Sequence, residues 1–274
     1  MAVGNTATRV LVSIIAIPII LLVSYLGGLY FFAFVLLIGF VSFYEFVLLL
    51  KNKKIFANSW LGFFAITYLL FNQYIYIFDF YSFLLLFIVL IACAELFRNR
   101  GSAITNIGGS LLGIFYIGLL TSSILGIREM YPSVGNLYLR GGYLIISILA
   151  SIWICDSAAY FGGLKFGKHK LFERVSPKKT WEGAIFGFVF SVIAMIAAKL
   201  IILQFLSWTT VIVFGIIIGI IGQVGDLVES LFKRDSAVKD SSALIPGHGG
   251  IFDRFDSLLY SAPVILLYLK YISR

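Results

Sequence analysis

The segment from Ser230 to Asp256 combines the residue types that metal and phosphate chemistry requires. It reads SLFKRDSAVKDSSALIPGHGGIFDRFD in the one-letter code. Its cations and most of its carboxylates are Lys233, Arg234, Lys239 and Arg254 together with Asp240, Asp253 and Asp256. Carboxylate oxygens suit Mg²⁺, which proteins usually hold with carboxylates and the phosphates of a substrate. We therefore expect a site for a metal ion and a polyphosphate here, rather than an ordinary solvated run of charges.

A histidine in this segment is surrounded by glycines, in the order Gly247, His248, Gly249 and Gly250. Glycine lets the backbone approach a phosphate closely, so that N–H groups point at it. We expect Gly249 and Gly250 to bind phosphate in this way. His248 is expected to donate a hydrogen bond to phosphate or to shape the loop, and local packing of its ring is the alternative.

Two carboxylates, Asp226 and Asp156, lie inside apolar stretches. On a helix, the face that carries Asp226 also carries three glycines, Gly215, Gly219 and Gly222. Small residues let a neighbouring helix approach closely, so this face is expected to look into a helix bundle. Carboxylates at membrane depth are costly and usually functional, although a structural hydrogen bond between helices is the alternative for both.

A second polar segment, from Ser176 to Gly183, reads SPKKTWEG. Ser176 and Thr180 supply hydroxyls, and Lys178 and Lys179 supply positive charge. The alternative for the two lysines is that they only add to the charge bias of a membrane protein. If both polar segments emerge on the same side of a membrane, we expect them to converge on one polar pocket.

The composition indicates that membrane-spanning helices carry these residues. The 274 residues are 61 % hydrophobic and 12 % charged, with a mean hydropathy of +1.02. Soluble proteins average about 45–50 % apolar and about 25 % charged residues, so a soluble domain is excluded. The net charge of +8 is typical of cytoplasmic loops in a polytopic chain, and no nucleic-acid partner is expected. Cys93 and Cys155 lie in apolar runs and are expected to be buried thiols.

Continuous apolar runs predict an all-α polytopic integral membrane protein with about nine transmembrane helices in one bundle. The predicted spans are, in order, residues 10–26, 29–50, 58–76, 80–97, 104–127, 143–162, 183–203, 208–230 and 257–272. A count of eight is the alternative, because the first and last spans are short. The N-terminus and the loops on its side carry 16 of the 21 Lys and Arg residues, so the positive-inside rule places them in the cytoplasm.

The charges divide the chain into two regions. Residues 1–142 are expected to form N-terminal transmembrane helices, and residues 143–274 a catalytic region with cytoplasmic loops at 163–182 and 231–256. Nine of the 13 acidic residues follow residue 150, whereas the first half is nearly plain hydrocarbon. Glu45 and Glu95 lie near helix ends with Lys or Arg close by, and both are interpreted as anchors at the membrane interface.

The order of the polar motifs resembles that of the phosphatidate cytidylyltransferases, also called CDP-diacylglycerol synthases. The matching elements are Asp156-Ser157, Tyr160-Phe161, Ser176–Thr180, Gly225-Asp226, Ser230–Arg234, Lys239-Asp240, Pro246–Gly250 and Asp253–Asp256. The resemblance is specific from about residue 150 to the end of the chain. It implies Mg²⁺-dependent transfer of CMP from CTP to phosphatidate, giving CDP-diacylglycerol and pyrophosphate. It also implies a membrane-lipid environment in the cytoplasmic (inner) membrane, with the site on the cytoplasmic side and a homodimer as a possible assembly.

The resemblance also implies roles for residues of this chain. The catalytic group is expected to comprise Asp226, Asp253, Lys239 and His248. Asp226 and Asp253 are expected to hold Mg²⁺, with Asp256 as a supporting ligand. The residues expected to bind substrate, mainly its phosphates, are Asp156, Ser176, Lys178, Lys179, Lys233, Arg234, Gly249, Gly250 and Arg254.

The implied reaction does not need a general base. A phosphate monoester such as the phosphatidate headgroup loses its second proton near about pH 6, so its attacking oxygen is largely ionised at neutral pH. The barrier comes from bringing two anions together and expelling pyrophosphate, which metal ions and Lys or Arg side chains relieve. We therefore expect catalysis by positioning and charge neutralisation.

Two other functions suit an apolar helical bundle with one charged face. A secondary transporter for an anionic solute would use Asp156 and Asp226 as a relay, but such sites usually lie near the bilayer midplane on repeated, broken helices. No internal repeat is visible in the sequence. A lipid kinase acting on an isoprenoid alcohol is the other alternative, and a purely structural membrane protein would have no use for so concentrated a polar site.

Overall fold

Nine helices and one short β-hairpin make up the described part of the chain. The structure is a computed structural model that describes residues 2–77, 79–245, 247 and 249–272, with side chains from residue 10 onward. The helices are α1 (Ala2–Leu26), α2 (Gly28–Asn52), α3 (Ser59–Tyr74), α4 (Phe80–Leu96), α5 (Ala103–Arg128), α6 (Gly135–Phe166), α7 (Trp181–Ile201), α8 (Trp208–Asp235) and α9 (Phe252–Tyr271). The antiparallel strands are β1 (Lys170–Phe172) and β2 (Ser176–Thr180).

Five of these helices are long and apolar enough to cross a membrane, namely α2, α5, α6, α7 and α8. Shorter apolar stretches occur in α1 and α4, at Val10–Leu26 and Phe80–Leu96. These features agree with the predicted all-α membrane class. The hairpin β1–β2 is the exception, because it lies in residues 163–182, which the sequence predicts as a loop.

The helices near the charged segments are longer than the hydropathy pattern predicts. Helix α8 continues to Asp235 and α9 begins at Phe252, so the predicted loop 231–256 shrinks to residues 236–251. Charged residues end an apolar run and therefore end the predicted span, but a helix can continue through charged residues at its ends. Cations at the end of α8 and carboxylates at the start of α9 both interact favourably with the helix dipole.

Helices α5 and α8 each contain one π-helical turn, at Ile114–Leu119 and Ile218–Gly222. The turn in α8 directly precedes Gln223, whose Nε2 donates hydrogen bonds to Gly219 O at 2.5 Å and to Ala184 O at 3.0 Å. Such turns are frequent at functional sites. Here the side chain of Gln223, three residues before Asp226, links α8 to α7.

Small residues bring α6, α7 and the hairpin into close contact. A Cβ at Gly183 in α7 would lie 3.1 Å from the Cα of Gly163 in α6. Thr180, the last residue of β2, caps α7 by accepting a hydrogen bond from Gly183 N at 3.2 Å. The hairpin is therefore fixed against the start of α7.

The charged loops share one end of the bundle. Lys53, after α2, forms an ion pair with Asp235 at the end of α8, at 3.0 Å. Arg234 Nε donates to Val175 O in the hairpin turn at 3.3 Å. At the opposite end, fully buried Arg128 donates to the final carbonyls of α1, with Nε 2.7 Å from Ser24 O. This arrangement agrees with helices that alternate in direction.

Candidate active site

Three carboxylates from two helices converge near the end of the bundle that carries the charged loops. Asp226 and Glu229 lie on α8, Asp256 lies near the start of α9, and one oxygen of each lies within 4.8 Å of the others. The helices can approach because Gly225 has no side chain. A Cβ at Gly225 would lie 2.5 Å from the Cβ of Tyr260 and 2.9 Å from Asp256 O.

Two lysines flank the three carboxylates. Lys179, in β2, places its Nζ 2.5 Å from Asp226 Oδ2. Lys233 Nζ lies 2.6 Å from Oε2 of Glu229, which is fully buried. Glu229 Oε1 accepts no hydrogen bond from any residue that the structure describes. Three carboxylates this close repel one another, and this all-oxygen donor set fits a hard divalent cation such as Mg²⁺.

Asp253 is not one of these three carboxylates, but it shares Lys233 with Glu229 and accepts further hydrogen bonds from the protein itself. Its Oδ2 accepts from Gly250 N at 2.8 Å, from Ser241 N at 3.0 Å and from Ser241 Oγ at 3.0 Å. Its Oδ1 accepts from Lys233 Nζ at 2.7 Å. The side chain is only 5 % exposed. A shared metal ion between Asp226 and Asp253 stays a prediction, and the geometry groups Asp226 with Glu229 and Asp256 instead.

The two glycines expected to bind phosphate build the loop around Asp253. Gly249 has a φ of +82°, a conformation that favours glycine, and its carbonyl accepts a hydrogen bond from Ile245 N at 2.8 Å. Gly250 uses its N–H to hold Asp253. Phosphate binding by Gly249 and Gly250 stays a prediction. His248, which lies between Gly247 and Gly249 in the sequence, falls outside the described residues.

Glu45 reaches this loop from the first half of the chain. It is 1 % exposed on α2, and it accepts hydrogen bonds from Ser241 Oγ, Ser242 Oγ and the N–H groups of Ile251 and Phe252. The interpretation of Glu45 as an interface anchor is therefore wrong. Glu95 is also buried, and its Oε1 accepts from Asn106 Nδ2 at 2.6 Å.

The cations expected to bind substrate divide into two groups. Lys178, Lys179, Lys233 and Arg254 line one large cavity. Arg234 instead donates to Val175 O and to Val238 O, which ties the end of α8 to its neighbours.

The remaining predicted residues also differ in their relation to the cavity. Asp156 lines it, as do Asp226, Asp253 and Asp256. Lys239 is exposed to solvent, and Ser176 lies in β2 opposite Phe172. Neither Lys239 nor Ser176 is among the residues that line this cavity in the described part of the chain.

The cavity, about 1220 Å³ in volume, joins a charged end to an apolar end. The charged end holds the lysines and aspartates that line the cavity. The apolar end lies among α1, α2 and α6 and includes Leu11, Ile15, Phe34, Leu149 and Ile152. One connected space can therefore accept a molecule with an anionic head and hydrocarbon chains.

Two buried carboxylates were missing from the residues predicted for the site. Glu229 follows Asp226 by three residues, so both lie on one helical face, and this spacing is a signal that could have identified it. Glu45 carries no such signal, because its contacts lie about two hundred positions away in the sequence.

Comparisons with known proteins give matches that cover nearly the whole chain. Residues 7–272 match the sequence profile described as the cytidylyltransferase family. A phosphatidate cytidylyltransferase of Brucella suis is 31 % identical over 265 residues, covering 97 % of this chain and 93 % of that protein. Proteins of the same name from Staphylococcus saprophyticus and Synechocystis are 31 % and 33 % identical, each over 95 % of this chain and over 98 % and 95 % of their own lengths.

Proposed function

The chain belongs to the cytidylyltransferase family, and from this premise we propose that it transfers CMP from CTP to phosphatidate. The products are CDP-diacylglycerol and pyrophosphate, and the reaction serves phospholipid biosynthesis. Relatives that share this name cover almost the full length of the chain, so the proposal concerns the whole protein.

The cavity is the observation that carries this proposal. Its apolar end matches the acyl chains of phosphatidate, and its charged end matches the phosphate headgroup and the triphosphate of CTP. An enzyme that joins a lipid to a soluble nucleotide must bind both within reach of each other. A single cavity that changes from apolar to charged provides this arrangement.

We further propose that the activity depends on Mg²⁺. Asp226, Glu229 and Asp256 would hold the ion, since their oxygens converge and an all-oxygen donor set suits Mg²⁺. Asp253 remains a candidate ligand or an orienting group for Lys233. When bound, Mg²⁺ supplies positive charge that stabilises the transferring phosphoryl group and the leaving pyrophosphate.

The side chains of the cavity act by charge neutralisation and positioning. Lys178, Lys179 and Arg254 line its charged end, where they lower the electrostatic cost of bringing two phosphate groups together. No side chain has to remove a proton, because the attacking oxygen of a phosphate monoester is already ionised at neutral pH. His248 is therefore assigned a hydrogen-bonding role rather than that of a base.

We propose nine membrane crossings, with the N-terminus and the charged loops in the cytoplasm. The charged loops share one end of the bundle, and the Lys and Arg count favours the cytoplasm for that end. CTP then reaches the site from water, while phosphatidate enters from the membrane. The expected location is the cytoplasmic (inner) membrane.

The proposal is tested with purified protein in detergent, supplied with CTP, Mg²⁺ and phosphatidate. We expect pyrophosphate release that depends on phosphatidate, together with a CDP-lipid in the organic phase. Diacylglycerol, which lacks the phosphate, serves as the matched control and should give neither product. Pyrophosphate release that is independent of added phosphatidate would contradict the proposal.

A further inference from the structure

Glu45 is a buried carboxylate in the part of the chain that otherwise looks like plain hydrocarbon. It takes part in none of the ion pairs between described residues. Its Oε1 accepts from Ser242 Oγ at 2.6 Å and from Ile251 N at 3.1 Å. Its Oε2 accepts from Phe252 N at 2.8 Å and from Ser241 Oγ at 3.0 Å. A buried carboxylate whose donors in the described part of the chain are all neutral has a local structural task there.

Two of these bonds replace the cap that α9 lacks. The first N–H groups of a helix have no partner within the helix, and a side chain at the N-cap usually supplies one. The N-cap of α9 is Ile251, which has no side-chain acceptor. Glu45 accepts from the N–H groups of Ile251 and Phe252 instead, and its negative charge lies at the favourable end of the helix dipole.

One of the other two bonds, from Ser241 Oγ, connects Glu45 to Asp253. Ser241 Oγ lies 3.0 Å from both Glu45 Oε2 and Asp253 Oδ2. A serine hydroxyl carries one proton, so it donates to one of the two carboxylates at a time. Gly250 packs against the same atoms, since a Cβ there would lie 2.1 Å from Ser241 Oγ and 2.5 Å from Glu45 Oε1. Movement of Glu45 would therefore displace the groups that hold Asp253.

We infer that Glu45 is a positioning residue for the cytidylyl transfer, an inference that rests on the proposed function. Glu45 holds Ser241, Ser242 and the start of α9, and this orients Asp253 and Asp256 toward the cavity. Its own side chain does not contact the substrate, because Glu45 is not among the residues that line the cavity. The first half of the chain thus contributes directly to the geometry of the site.

Two substitutions at Glu45 separate its hydrogen-bonding role from its volume. Glu45→Gln keeps the size but replaces one acceptor oxygen with an NH₂ group, which faces donors. Glu45→Asp keeps both acceptor oxygens on a side chain that is one methylene group shorter. Glu95→Gln is the matched control, because Glu95 is a buried carboxylate that contacts Asn106 and Arg98, outside the loop.

We expect Glu45→Gln to lower kcat by about 10- to 100-fold, the usual effect of losing a group that orients a ligand-binding residue. The KM for phosphatidate should stay near the wild-type value, because the apolar end of the cavity is unchanged. Glu45→Asp should retain more activity than Glu45→Gln, and Glu95→Gln should keep the wild-type kcat.

Amide hydrogen exchange tests the same inference without substrate. In Glu45→Gln, peptides that cover residues 241–252 should exchange faster, while peptides from α7 should exchange as in the wild type. A wild-type kcat in Glu45→Gln would overturn the inference, and so would faster exchange throughout the protein in all Glu45 variants. If the wild-type protein makes no CDP-lipid, the proposed function is wrong. The exchange measurement is independent of that result, because it reports only whether Glu45 holds the loop.

Discussion

Asp226, Glu229 and Asp256 place three carboxyl groups within one small volume. Lys179 pairs with Asp226 and Lys233 pairs with Glu229, whereas Asp256 forms no ion pair with any residue that the structure describes. Lys233 is also shared with Asp253. A bound divalent cation would stabilise this group of carboxylates, because it attracts several of them at once.

We predict that Asp226→Asn and Asp256→Asn each lower kcat by at least about 100-fold, as expected for loss of charge stabilisation at a reacting centre. Asp235→Asn is the control, because Asp235 ends the same helix α8 but forms only an exposed ion pair with Lys53. Such pairs contribute little to stability. Steady-state kinetics of the folded variants measure the effect. Wild-type turnover in Asp226→Asn would show that Asp226 is not part of the active site.

At the residue scale, the sequence identified groups that form a local pattern. Asp226 and Asp256 follow from the motifs, and both line the cavity. Contacts between distant segments leave no local pattern, so the role of Glu45 was not predictable. Phosphate binding by Gly249 and Gly250 stays a prediction, and hydrogen bonds of both glycines also hold the loop itself. Glycine-rich spacing alone does not distinguish these two uses.

At the scale of elements, the loop 236–251 depends on close packing around Gly250. A methyl group there would force Ser241 or Glu45 to move and would break hydrogen bonds in the process. We predict that Gly250→Ala lowers the free energy of unfolding by about 1–3 kcal/mol, a typical cost of overpacking. Activity should fall as well, because Asp253 loses its fixed position.

Gly108→Ala is the matched control for this substitution. Gly108 lies in α5 with open space where a Cβ would be placed. Replacing glycine by alanine inside a helix stabilises it by about 0.5–1 kcal/mol. Unfolding in mixed detergent, followed for both variants, compares them directly. Equal stability of the two alanine variants would contradict the packing described for Gly250.

The helix boundaries show why elements were predictable only in outline. Apolar runs located the centre of each helix, since hydropathy reports the lipid-compatible part. Helices α8 and α9 extend beyond these runs, because charged residues at their ends are compatible with the helix dipole. The hairpin β1–β2 was not predicted, since its strands are only three and five residues long.

At the scale of the whole molecule, α1 forms one wall of the apolar end of the cavity. Ala16 lines that wall, and a tryptophan there would occupy space assigned to acyl chains. If the tryptophan keeps about two methylene groups of the lipid out of the cavity, the loss of binding free energy is roughly 1.6 kcal/mol. We therefore predict that Ala16→Trp raises the KM for phosphatidate by about 10-fold and leaves the KM for CTP unchanged.

Ile14→Trp controls for a bulky residue on the same helix. Ile14 is 66 % exposed and is not among the residues that line the large cavity. This variant should keep both KM values. A rise in the KM for phosphatidate in Ile14→Trp alone, or in neither variant, would argue against lipid binding between α1 and α6.

The proposed orientation predicts where single cysteines react. In a background with Cys93 and Cys155 replaced by alanine, Glu173→Cys should label only from the cytoplasmic side of sealed vesicles. Ser133→Cys should label only from the other side. Ser133 precedes α6 and Glu173 follows it, and both residues are exposed, so a membrane-spanning α6 would separate them. Labelling of both positions from one side would refute this topology.

In the proposed reaction, CTP donates its α-phosphoryl group, as CMP, to a lipid phosphate. CTP labelled separately at the α- and γ-phosphates tests it most directly, with purified protein, Mg²⁺ and phosphatidate in detergent. We expect the α-label to move into the organic phase as CDP-lipid while the γ-label appears only in pyrophosphate, in equal amounts. Transfer of γ-label to lipid would identify a kinase, and the absence of α-label from lipid would contradict cytidylyl transfer.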